Sequence, residues 1–175
     1  MVSYLYQSPS GIPGDVTRVD ESNIEPVMLV SPYPTNYGVA MKYAAGSGGA
    51  PVGVTPFASA DLAAVFCGIL TRQAPAISGS SSNENLYQDT PLTTQVQGLM
   101  VRGYCTVLVN DGTPARGAPV YIVSTPDGVD HPAGAFETTA RGGGNVALSA
   151  TIVGNVTWAA DGVDSNGFGE VRIAQ

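Results

Sequence analysis

The stretch Val101-Arg102-Gly103-Tyr104-Cys105-Thr106-Val107-Leu108-Val109 decides the fold class. Val101, Gly103, Cys105, Val107 and Val109 fall on one side of an extended chain, with Arg102, Tyr104 and Thr106 on the other. Successive side chains of a strand point to opposite faces, so this period of two reads as a half-buried β-strand. Asn110-Asp111-Gly112 follows, residues tolerant of positive φ. Pro119–Val123 is expected to return beside the first segment as the second arm of a hairpin.

Similar segments recur on either side. Val27-Met28-Leu29-Val30 reads as a short strand ended by Ser31-Pro32-Tyr33-Pro34, and Val65–Leu70 as a strand buried on both faces. Val146, Leu148, Ala150 and Ile152 alternate with Ala147, Ser149 and Thr151, and Val156–Ala159 and Phe168–Ile173 complete the set. Ala44–Pro56 reads as loop, Ile77–Thr90 as a polar Ser/Asn loop, and Ser59-Ala60-Asp61-Leu62 as the cap of one helical turn. No stretch sustains a 3.6-residue period. Short strands divided by frequent turns are the pattern of an all-β, antiparallel sandwich or barrel. Residues 27–175 are expected to form that single domain. Met1–Pro26 carries Pro9, Gly11, Pro13 and Gly14, with few apolar residues beyond Tyr4, Leu5 and Tyr6, and reads as an extended N-terminal arm.

Composition agrees. The 175 residues suit one domain, and a chain of this length buries enough surface to fold without a metal or disulfide. Charged residues make up 12%, about half the usual share, and 22 Gly with 13 Pro form a fifth of the chain, against a background of ~12%. A helical bundle, a coiled coil and a nucleic-acid-coating protein are excluded. The formal charge is −7, Lys42 is the single lysine, and Arg18, Arg72, Arg102, Arg116, Arg141 and Arg172 are scattered along the chain. Without a basic stripe, neither nucleic acid nor an anionic membrane is an expected partner. Met1–Pro13 holds no signal-like apolar run, and Ala63–Leu70 falls far short of the ~20 residues that span a bilayer. A soluble protein synthesised in a cytoplasm is expected, with Cys67 and Cys105 buried and reduced.

The search for chemistry finds little. His131, the single histidine, lies in Asp127-Gly128-Val129-Asp130-His131-Pro132, with no G-x-S-x-G elbow in the chain, and reads as a residue of a solvated turn. One His and two separated Cys cannot make a Cys/His zinc site. Asp164, Asn166 and Gly167 keep part of a calcium-loop spacing, but Gly162 and Ile173 would occupy the first and last ligand positions. A polar turn is expected there. Gly142-Gly143-Gly144-Asn145-Val146-Ala147 fits a dinucleotide fingerprint formally, yet a strand rather than a helix follows it. No catalytic, cofactor-binding or metal-binding residue is expected, and no enzymatic activity. Tyr4, Tyr6, Tyr33, Tyr37 and Tyr43 crowd the first quarter. Tyrosine joins apolar area to a hydrogen-bonding tip, which makes Tyr4, Leu5, Tyr6, Tyr33 and Tyr37 candidate interface residues. The same tyrosines could instead pin loops onto their own domain.

A set of soft glycine–apolar motifs runs through the chain: Ile12-Pro13-Gly14-Asp15-Val16, Ile24-Glu25-Pro26, Phe66–Arg72, Val101–Val107, Gly117-Ala118-Pro119-Val120-Tyr121 and Gly167–Ile173. In this order they resemble the structural cement, or capsid decoration, proteins of tailed bacteriophages, from about Gly11 to the end. The resemblance implies a non-enzymatic virion protein with a jelly-roll-like β domain. It implies binding to the exterior of a shell of major capsid protein with the HK97-like fold, at joints between capsomers, as a homo-oligomer, trimer or dimer. A carbohydrate- or receptor-binding β-sandwich of a tail or cell-surface protein is the alternative; it needs clustered aromatic residues on strands or one loop end, and Trp158 is the only tryptophan.

Overall fold

The structure, a computed structural model, describes residues 11–46, 49, 51–72, 90–128, 131–149 and 151–174. Their strands are β1 (Asn23–Leu29), β2 (Ala40–Tyr43), β3 (Val52–Pro56), β4 (Phe66–Thr71), β5 (Val96–Asp111), β6 (Tyr121–Val123), β7 (Phe136–Glu137), β8 (Asn145–Ala147), β9 (Asn155–Trp158) and β10 (Phe168–Ala174). The expected all-β fold is present, as barrels. β1, β3, β2, β4 and β5 pair in that order, and β5 pairs back onto β1, closing a five-stranded ring. Most pairs are antiparallel; β1–β3 and β5–β7 are parallel.

The stretch that opened the sequence analysis lies in β5, sixteen residues long and shared by two rings. Its first half pairs with β1 and β4. From Gly103 onward it pairs with β10, and its tip with β7. β10 continues to β9, and β7 to β6 and β8. Leu148 N–H donates to Val120 O at 2.8 Å and Val156 N–H to Leu148 O at 3.0 Å, which joins the two arms into a second, less regular ring. The core runs through both: Phe66, Ile69 and Leu99 in the first, Ile122, Leu148 and Trp158 in the second.

Several local expectations change. The Asn110-Asp111-Gly112 turn forms, but the chain beyond it does not return along β5. Ala118 O accepts from Trp158 N–H and Gly117 N–H donates to Trp158 O, so residues 117–119 pair with β9, and buried Phe136 takes the place beside β5. Within Ala44–Pro56, read as loop, Val52–Pro56 is a strand between β1 and β2, because ring closure gives this Gly- and Pro-bearing segment a partner on each side. The helical turn comes at Ala63–Val65 rather than at 59–62. Asp61 closes a tighter turn, accepting from Ala58 N–H at 2.7 Å and pairing with Lys42 Nζ at 2.6 Å. The alternation expected to reach Ile152 ends as strand at Ala147, since Thr151 and Gly154 bond across a turn. The Ser/Asn loop lies, but for Thr90, outside the described residues.

Of the segment read as an arm, residues 11–26 are described, and β1 starts at Asn23 within it. Gly14 N–H donates to Thr106 O, Thr106 N–H to Asp15 O and Thr17 N–H to Tyr104 O, so residues 11–17 lie along β5 as an added backbone layer. Thr106, expected on the solvated side of its strand, is therefore fully buried.

Candidate interaction surface

Tyr33 and Tyr37 share one segment but face opposite ways. Tyr37 is buried; its hydroxyl donates to Gln97 Oε1 at 3.4 Å and the Arg72 guanidinium carbon lies 5.1 Å from its ring centre. It pins the 33–39 segment onto the first ring. Gly14 packs against it: a Cβ there would come within 2.7 Å of Tyr37 Cβ and 2.9 Å of Arg72 N. Tyr33 is 51% exposed. Tyr4, Leu5 and Tyr6 lie outside the described residues.

Tyr33 borders a cleft of about 340 Å³ walled by Pro34, Phe57, Leu108, Pro132 and Phe136. Both rings contribute, so the recess exists only once β5 has joined them. Its walls are chiefly apolar, suited to receiving apolar or aromatic side chains rather than to polarising a bond.

A polar knot fixes the 132–136 wall. Glu137 is fully buried; its Oε1 lies 2.5 Å from His131 Nδ1, and its Oε2 accepts from Arg141 Nε at 3.1 Å and Asn145 Nδ2 at 2.6 Å. His131 is thus half-buried against a carboxylate rather than loose in a solvated turn, and the triglycine loop Gly142–Gly144 carries the chain from Arg141 to Asn145. No spacing rule links residues 131, 137, 141 and 145; β7 and β8 bring them together through β6. The loop runs into β8, a strand, as expected. Asp164 Oδ1 accepts from Asn166 N–H and Phe168 N–H, which makes 161–167 the polar turn expected there. Cys67 and Cys105 are free and buried. Among the described residues no group of three or more His, Cys, Asp or Glu is placed to hold a metal.

The arginines, scattered in sequence, are not all scattered in space. Arg18 lies 3.9 Å and Arg172 5.8 Å from the Tyr104 ring centre, a grouping that only the β5–β10 pairing and the 11–18 layer create.

The profile of a family described as XM1 gp53 minor capsid protein matches residues 1–173. A chain in the solved capsid of Myoviridae phage XM1 is similar in fold, with a TM-score of 0.66 and 18% identity over 99% of this chain and 96% of that one. No curated protein matches.

Proposed function

The chain belongs to the XM1 gp53 minor capsid protein family, and from that membership we propose that it binds the outer surface of a phage capsid shell and stabilises contacts between capsomers, without enzymatic activity. It is a capsid-associated structural protein and a virion component. The observation that carries the proposal is the extent of the family match: it covers both rings, so the capsid role attaches to the whole fold rather than to one motif.

The partner in this reading is the major capsid protein of an HK97-like shell, with the chain itself a dimer or trimer. The charge of −7 suits a surface turned away from packaged DNA. A clamp that binds only the assembled shell stabilises it by RT ln(1 + [L]/Kd), and many copies on one lattice add avidity. Tyr4, Leu5 and Tyr6 act as anchors against a neighbouring copy or the shell, and Tyr33 offers a further exposed aromatic contact. Burying one such side chain contributes roughly 1.5–3 kcal/mol.

Shells assembled without the protein provide the test. Added back, it is expected to decorate their exterior in a reconstructed map and to raise their melting temperature. Density confined to the interior or the tail, or an unchanged melting temperature, overturns the reading. Strong glycan-array binding without shell binding favours the receptor-binding alternative.

A further inference from the structure

Two of the seven basic residues, Arg18 and Arg172, gather around Tyr104. Arg172 and Tyr104 are direct cross-strand partners, and Arg102 lies two residues earlier on β5, on the same side of the strand. Arg18 comes from the layered segment; its Nη2 is 3.6 Å from Glu170 Oε2, and Thr17 Oγ1 donates to Glu170 Oε1. Glu170 thus answers Arg18. Among the described residues neither Arg102 nor Arg172 is ion-paired, with Asp20 and Glu21 of the neighbouring turn or with any other carboxylate, and both are exposed. Val19, 71% exposed, adds apolar area beside Arg18.

Guanidinium groups held near an aromatic ring lose less freedom on binding, and their N–H edges remain free to meet carboxylates two at a time. Arginine and tyrosine are also the residues that dominate interface energetics. A two-fold contact of this face with itself would set arginine against arginine, so its partner is a different surface. Resting on the capsid-binding reading above, we propose that the Arg18–Tyr104–Arg172 face with Arg102 docks onto a carboxylate-bearing surface of the capsid shell.

The test measures binding of the full chain to undecorated shells at several salt concentrations. Arg102→Glu with Arg172→Glu is compared with Arg116→Glu, an exposed arginine outside this face, and with Tyr104→Ala. The double reversal is expected to weaken binding at least tenfold and to flatten its salt dependence, with circular dichroism unchanged. Arg116→Glu should stay within twofold, and Tyr104→Ala should fall between. Wild-type binding with an unaltered double reversal overturns this inference alone; no wild-type binding overturns the capsid-binding reading with it. A double reversal that alters oligomeric mass but not shell binding makes the face a contact between copies and also overturns the proposal.

Discussion

Cys67 and Cys105 sit in strand cores where burial, more than the nearby carboxylates, pushes the Cys67 thiol up to about 12 and the Cys105 thiol further still. The folded chain keeps both thiols protonated in a pH range where the unfolded chain, with ordinary thiols near 8.5, releases the protons. The unfolded state then binds fewer protons, so stability falls as pH rises. Between about pH 9 and 12 the expected loss is about 1.4 kcal/mol per pH unit for each thiol, absent below pH 8. Melting curves across that range should flatten in Cys67→Ala and Cys105→Ala, and a thiol reagent should count two groups after denaturation and few before. Glu137 makes the second prediction at this scale. Glu137→Leu removes the acceptor of three donors and leaves Arg141 without its counter-charge, for a loss of about 3–5 kcal/mol, toward the lower figure because Arg141 retains some solvent. Denaturant titration checks it; an unchanged midpoint would mean the knot contributes no net stability.

β5 is the element on which the architecture turns. The register against β1 shifts between Asn23 and Ile24, and three residues past Met100 the strand reaches Gly103 with φ +123. A Cβ at that position would lie 2.1 Å from Ser22 Oγ and 2.7 Å from Ser22 Cα, at the point where pairing passes from β1 to β10. Gly103→Ala combines an unfavourable backbone conformation, about 1–3 kcal/mol, with a clash against backbone of similar size. At ~2–4 °C per kcal/mol for a chain of this length, the melting temperature should drop by roughly 5–20 °C. The 11–17 layer makes a separate prediction. Deleting residues 1–10 keeps the bonds of Gly14, Asp15 and Thr17 to β5, so the transition should stay within a few degrees while shell binding weakens if Tyr4, Leu5 and Tyr6 are anchors. Deleting 1–20 strips the cover from Thr106 and removes the donors and acceptors of Gly14, Asp15 and Thr17, and it should destabilise the fold outright.

At the scale of the whole molecule, ring closure gives each of β1 to β5 a partner on both sides among the described residues, which disfavours association by strand addition at the first barrel. On this barrel side chains are left to make contacts with another surface, and the exposed Tyr33, Val19 and the arginines around Tyr104 are suited to that. With few surface charges to oppose self-association, a dimer or trimer is expected in light scattering at high micromolar concentration. A clean monomer mass would count against an oligomer formed before shell binding.

Sequence alone determined what depends on local order. The alternation of Val101–Val109, the unbroken apolar run before Leu70 and the Gly/Pro frequency place the chain among all-β folds, because side-chain direction follows residue spacing along a strand. The buried thiols and the turn at 161–167 were legible for the same reason. Tertiary structure decided everything that joins distant segments. Val52–Pro56 became a strand because a ring had room for it, β7 displaced the expected hairpin arm, and residues 131, 137, 141 and 145 met around one carboxylate. Two arginines 154 positions apart in sequence share an aromatic ring. Strand pairing is non-local: a backbone donor accepts any partner that packing brings within reach, and nothing in the spacing of residues along the chain encodes which one arrives.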